Sequence, residues 1–406
     1  MKRYTLALTV LLGGTAVCMP KLAAQEGNEG ARPLTFEAAY AFDAFSNTMG
    51  GVEQGTRFLD NVDVTLTTDL EALLGWRGAT VFLYGLGNQG ESPSELIGDA
   101  QTVSNIDAPT SWRLYEAWIE QNLMDGRASL RAGLYDLNSE FDAIETAGLF
   151  LNSSHGIGPD FSQTGLNGPS IFPITSLGFR ASFALSEGLT IQGVILDGVP
   201  GDPENPTGTS VHLSREDGAL MAGEVGYVFG AKSDWLPQEI RVAVGGYFYT
   251  RDFECILPPE AMENGPDHTR TRGFYALAEG SVYTEYGTED QGASLFVRTG
   301  FADEAVNQFS NYLGGGVVYT GFFPGRDEDQ LGLAVASAIN GGHYKYLQSL
   351  NGTPVDGAEV AIELTYLAEF WSGFSIQPDI QYIVNPGTDQ SLGNALAVGL
   401  RTGVAF

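Results

Sequence analysis

Two neighbouring stretches concentrate the side chains able to grip a polar solute. The first is Trp112-Arg113-Leu114-Tyr115-Glu116-Ala117-Trp118-Ile119-Glu120-Gln121, and the second is Leu130-Arg131-Ala132-Gly133-Leu134-Tyr135-Asp136-Leu137-Asn138-Ser139-Glu140-Phe141. In a strand, alternate residues share a face. Trp112, Glu116, Trp118 and Glu120 then line one wall, as do Arg127, Ser129, Arg131 and Tyr135. The opposite faces carry Tyr115, Ala117 and Ile119, and Ala128, Leu130, Ala132 and Leu134. The tight Met124-Asp125-Gly126 connection folds the two into a hairpin that brings Glu120 near Ser129 or Arg131. A wall of rings, carboxylates and a guanidinium suits a sugar. Pyranose C–H faces pack on aromatic rings, and hydroxyls bridge acceptors and donors. The competing reading makes the tryptophans membrane-edge aromatics and leaves Glu120 and Arg131 simply paired; Trp112, near the strand end, suits either reading.

Other chemistry is poorly supported. The four histidines, His155, His212, His268 and His343, all fall in expected loops. Ser153 and Ser154 adjoin His155, but sequence neighbours do not make a triad. There is no nucleophile elbow, metal-ligand spacing or cofactor motif, so neither an enzyme nor a cofactor is expected. Asp197, Asp202 and Glu204 fit no defined calcium loop and read as a solvated acidic turn. With 20 Lys and Arg against 50 Asp and Glu, no basic patch is available for nucleic acid.

The elements that would position the wall are read best from the end of the chain. Phe406, Val404, Leu400, Val398 and Leu396, with one threonine at Thr402, alternate with Ala405, Gly403, Arg401, Gly399 and Ala397. One face is apolar and the other small with one arginine, as in a transmembrane β-strand of roughly 9–11 residues with lipid outside and a lumen inside. Similar alternation predicts sixteen strands near 34–45, 56–69, 77–88, 110–123, 127–138, 174–186, 188–198, 218–230, 238–250, 271–284, 291–303, 311–323, 330–340, 357–370, 373–384 and 393–406. Short gaps alternate with long ones at 89–109, 139–173, 199–217, 251–270 and 341–356, as short periplasmic turns alternate with long outer loops. The fold class is therefore all-β, an outer-membrane β-barrel. Residues 1–24 read as a signal peptide, with Lys2 and Arg3 before an apolar run, and 25–33 as a polar leader. Removing 1–24 takes the net charge from −30 to −33 and leaves Cys255 as the one cysteine.

Charges inside such a barrel belong on the lumen face, because a lipid-facing Arg or Lys costs roughly 2–4 kcal/mol near the midplane. This assigns Glu359, Glu363, Asp379 and Arg401 to the pore, and Pro378 to a local bulge. The long 139–173 gap, helped by 89–109, is expected to fold inward and narrow the pore. Asp99, Asp107, Asp142, Glu145 and Asp160 are then lining candidates.

The two stretches above, with Gly156-Ile157-Gly158-Pro159-Asp160-Phe161-Ser162-Gln163, Gly165-Leu166-Asn167-Gly168-Pro169-Ser170 and Leu196-Asp197-Gly198-Val199-Pro200-Gly201-Asp202-Pro203, resemble the carbohydrate-selective porin family of the OprB type. The resemblance is densest over about 74–230. It implies a sixteen-stranded barrel passing sugars by diffusion without energy coupling. The envelope-anchoring domain that some relatives carry at their amino terminus is not expected here. The expected partners are small sugars, outer-membrane lipid and lipopolysaccharide, and the barrel-assembly machinery, addressed through the terminal Phe406. Trimers are common among porins, but no feature of the sequence fixes an interface. The alternative function is a general cation-preferring porin, consistent with the acid excess.

Overall fold

The computed structural model describes residues 33–230, 239–262, 265–288, 290–371 and 373–406. The expected signal peptide, and the leader up to residue 32, lie outside the described residues. The strands are β1 (Leu34–Gly51), β2 (Gly55–Asp69), β3 (Ala79–Gly90), β4 (Ser111–Leu123), β5 (Ala128–Tyr135), β6 (Ser176–Ala184), β7 (Leu189–Asp197) and β8 (Ala219–Phe229). They continue with β9 (Ile240–Glu254), β10 (His268–Thr284), β11 (Gly292–Ala302), β12 (Phe309–Thr320), β13 (Gln330–Asn340), β14 (Ala358–Trp371), β15 (Phe374–Val384) and β16 (Gly393–Ala405). Each pairs antiparallel with its sequence neighbours, and β1 pairs with β16, closing the barrel. All sixteen expected runs are strands, and closure leaves no unpaired edge in the membrane.

The seam explains the terminal pattern. Arg401 of β16 faces inward opposite Asp43 of β1 and donates to it from Nε and Nη2, each at 2.7 Å. Phe406 closes the ladder, its N–H donating to Ala38 O at 2.8 Å. Outward-facing aromatics stack in pairs at both levels. Phe42–Phe58 and Phe274–Phe301 lie toward the long-loop end, and Trp371–Phe374 toward the short-turn end. These are the girdles expected at membrane interfaces. The long connections, 91–110, 136–175, 198–218, 255–267 and 341–357, all emerge at one end. The connections 52–54, 303–308 and 385–392 at that end are short.

Two local expectations are corrected. The β3–β4 register shifts between Tyr84↔Glu116 and Gly85↔Leu114, so Tyr115 is the extra residue of a β-bulge. Beyond it the alternation reverses. Arg113 and Tyr115 turn into the lumen, while Trp112 points outward, 61 % exposed, as a girdle residue rather than a pore-lining one. Pro378 makes no bulge. It pairs with Leu400 in continuous register, and its carbonyl accepts from Thr365 Oγ1 at 3.2 Å.

The loops 91–110 and 136–175 fold into the barrel, held by carboxylates on its wall. Glu359 accepts the amides of Ala100 and Gln101 at 2.8 and 3.0 Å, and Glu363 those of Leu151 and Asn152 at 2.6 and 3.0 Å. Glu224 accepts from Asp142 N at 3.0 Å and Glu279 from Thr146 N at 2.8 Å. Arg298, fully buried, binds Asp142 and Asp160 together. Phe141, Phe150 and Phe161 fill the space between, so loop backbone that would strand its amides is satisfied at every tether.

Candidate functional site

The inward loops pack on wall residues around much of the barrel, from Glu359 and Glu363 of β14 to Glu279 of β10, Tyr247 of β9 and Glu224 of β8. Beneath them, among β3–β9, a cavity of about 420 Å³ remains, bounded below by Gly126, Arg127 and Gly188 near the short turns and above by Ser139, Glu140, Ala143 and Glu145 of the inward loop. Ligand clefts typically measure about 300–1,000 Å³.

Register builds its wall. Glu120, Arg131 and Arg180 are direct cross-strand partners on β4, β5 and β6. Two guanidiniums side by side repel unless carboxylates separate them. Glu120 supplies one, receiving Arg131 Nε at 3.0 Å and Arg180 Nη2 at 2.6 Å. The second comes from the loop: Glu140 accepts Arg180 Nε and Nη2 at 2.7 Å each and lies 3.4 Å from Arg131 Nη2. Tyr135 also donates its hydroxyl to Glu140. Burial would raise the Glu140 carboxyl, but Arg131 and Arg180 outweigh it and hold it below its ordinary range. Glu140 is the most exposed of the four, at 25 % of its side chain. Beyond it, Gln192 donates to Glu140 O at 2.9 Å, and Arg241 joins Glu224, Glu279 and Ala143 O.

Trp118 packs against Phe82 with ring centroids 4.9 Å apart, and the Arg131 guanidinium lies 3.9 Å from its ring. Gly133, directly opposite Trp118, has φ 145°; a Cβ there would lie 2.1 Å from Ala117 O. The glycine of the Arg-Ala-Gly-Leu-Tyr run therefore lets the strand pass this close.

The sequence profile of the carbohydrate-selective porin, OprB family, matches residues 53–406. This chain belongs to that family. The porin is 25 % identical to Porin B of Pseudomonas aeruginosa over 404 residues, spanning 91 % of this chain and 87 % of that one. A putative porin, QuiX, of Acinetobacter baylyi is 20 % identical, covering 91 % and 89 %. The high-pH structure of Pseudomonas putida OprB superposes with a TM-score of 0.80 at 22 % identity, covering 92 % of this chain and 94 % of that one. The match extends well beyond the 74–230 region where the motifs are densest. Family and fold together are those of an outer-membrane sugar channel rather than an enzyme.

Within this porin, Glu116, Trp118, Glu120, Arg131 and Glu145 border the cavity, and Tyr135 supports Glu140. Glu116 also accepts Asp136 N at 3.0 Å, anchoring the loop's first residue. The other lining candidates are packed between the inward loops and the wall, or lie within those loops. Glu359, Glu363, Asp379 and Arg401 do face inward, but none of them borders this cavity. They are covered by the loops they hold, or locked in pairs, and do not line water. Asp142 and Asp160 are likewise fully buried on Arg298. Asp107 binds Ser92 Oγ. Asp99 lies near Glu359; burial, then that neighbour, pushes its carboxyl up to about 7. His155 is wedged between Phe150 and Phe296 at 5.0 and 5.8 Å, and burial lowers it to about 3.

Sequence reasoning missed Arg180, Glu224, Arg241 and Arg298. Each carries a charge between two outward positions, such as Phe179 and Ala181 around Arg180, so the period of two marks all four. Glu140 stood inside a quoted motif, but its inward turn depends on the loop.

Proposed function

We propose that mono- or small oligosaccharides cross by passive diffusion along the cavity wall, meeting the Glu120–Arg131–Glu140–Arg180 quartet chiefly through Glu140, its most exposed member. The observation that carries this reading is the quartet itself, fixed donors and acceptors bordering a solute-sized cavity beneath an inward loop. A sugar hydroxyl both donates and accepts, so alternating carboxylates and guanidiniums can replace its hydration shell without leaving a polar group unpaired. Fixing the groups in advance lowers the ordering cost of binding, and modest affinity lets the solute leave again. The packed environment gives Trp118 a supporting role: its ring holds the Arg131 guanidinium flat, and its remaining edge borders the passage.

Swelling of proteoliposomes in isotonic solutions tests this. Monosaccharides should enter several-fold faster than zwitterionic amino acids of similar size, with rates falling through di- and trisaccharides. Equal rates for sugars and size-matched non-sugars would favour the general porin instead.

A further inference from the structure

The lumen is not the only built hollow. On the outer surface of β8–β11 a depression of about 650 Å³ is bordered by Met221, Gly223, Gly246, Phe248, Phe274 and Phe301, with Arg272 at its rim. Its floor is a cross-strand glycine pair, Gly223↔Gly246. The barrel does not need a glycine at 223. A Cβ there would meet nothing nearer than Gln192 O at 3.7 Å, and no left-handed φ occurs there. Its bareness keeps the hollow open. Phe274 and Phe301, stacked with centroids 5.2 Å apart, form one wall within the upper aromatic girdle.

Above that stack, toward the outer loops, sit Arg270 and Arg272, both exposed and facing away from the lumen. Arg270 lies 3.2 Å from Asp252. Arg272, opposite Phe248, has no ion-pair partner among the described residues. The chain has only 20 Lys and Arg against 50 Asp and Glu, so spending two arginines here is unusual. A lipid-facing arginine is costly, and more so the closer it lies to the midplane. An anion at girdle depth would offset that cost and give Arg272 a charge-assisted partner.

We propose that this face binds lipid A of lipopolysaccharide, one acyl chain lying in the glycine-floored hollow and a phosphate on Arg272. The charges select an anionic headgroup, and the depth selects the outer leaflet, because the short-turn end marks the periplasmic side. The site is separate from the sugar path and does not depend on it.

Native mass spectrometry of the detergent-purified porin with added bis-phosphorylated lipid A is the test. The wild type should retain lipid A through mild activation. Arg272→Ala should lower the retained fraction about fivefold, the upper range for an exposed charge pair. Gly223→Leu, which fills the floor, should lower it comparably, while Arg77→Ala at a periplasmic turn should not. Heat-modifiable migration and unchanged sugar swelling report folding of each variant; Arg272→Gln serves if the alanine variant assembles poorly. Dephosphorylated lipid A and phosphatidylglycerol should be retained less than lipid A. Equal retention by Arg272→Ala, equal retention of all three lipids, or a second copy of the chain on this face in place of lipid A would each overturn the proposal.

Discussion

Replacing Glu140 by glutamine should uncouple sugar selectivity from ion flow. The carboxylate accepts two hydrogen bonds from Arg180 at 2.7 Å and one from Tyr135, with Arg131 3.4 Å away. An amide keeps one acceptor and turns an NH₂ toward donors. Losing two charge-assisted bonds, at roughly 1.5–3 kcal/mol each when judged singly, would cost about 3 kcal/mol or more if nothing relaxed. The loop's other tethers, at Arg298, Glu224 and Glu279, limit its movement, so the expected weakening of sugar block is about tenfold to a hundredfold. Ion conductance should change by less than about twofold, since the same number of side chains borders the cavity. Planar-bilayer recordings with increasing glucose would measure both. The pH dependence has a definite sign. A depressed carboxyl contributes stability above its unfolded value, near 4.3, and loses it as pH falls through the lower folded value. Sugar block should therefore hold from about pH 8 to 5 and fail only in stronger acid. Wild-type block by Glu140→Gln, in a correctly assembled barrel, would refute the role given to the quartet.

Trp118→Ala should weaken sugar block by about threefold to tenfold, because it loosens Arg131 through a lost cation–π contact rather than removing a sugar platform; a loss as complete as that of an Arg131→Ala variant would restore direct stacking. Arg298→Ala leaves Asp142 and Asp160 buried without their cation, a loss of about 3–5 kcal/mol that should appear as a lower thermal midpoint and noisier, larger conductance. Unchanged midpoint and conductance would show that the loop is held elsewhere. Cys255, in an outer loop but 8 % exposed and with its thiol pushed up by burial, then Asp303 and Asp267, should react slowly with an impermeant maleimide on intact cells; reaction only after permeabilisation would reverse the topology. Glu116, Glu120, Glu140, Glu145 and Glu224 meet Arg127, Arg131, Arg180 and Arg241 around the cavity, so cation preference should be slight and fade with salt. Measured anion preference at low salt would contradict it.

The barrel was legible because a membrane strand has two solvents. Lipid on one side and a polar lumen on the other impose a period of two on Ile362 and Leu364 against Glu359 and Glu363, and on the terminal strand alike. The same alternation put Glu120 near Ser129 or Arg131, and in the barrel Arg131 is its direct cross-strand partner. It failed at Trp112, because a bulge at Tyr115 reverses the faces and is set by β3–β4 pairing rather than by local composition. It also could not separate an inward charge that meets water from one that meets a loop. Glu363 and Glu120 look equivalent along their strands, yet one holds two loop amides and the other borders the open cavity. That difference depends on where the 136–175 connection lies, and its position is fixed by contacts with residues more than two hundred positions away, such as Leu151 with Glu363.

Sugar recognition by the Glu120–Arg131–Glu140–Arg180 wall is the proposal on which the sugar path rests. Single-channel current in a planar bilayer, recorded with glucose added to one side, tests it most directly. The structure predicts well-resolved conductance that glucose reduces in a saturable way, with the reduction lost in Glu140→Gln. Conductance that glucose leaves unchanged at every concentration, beyond its effect on solution viscosity, would contradict the account.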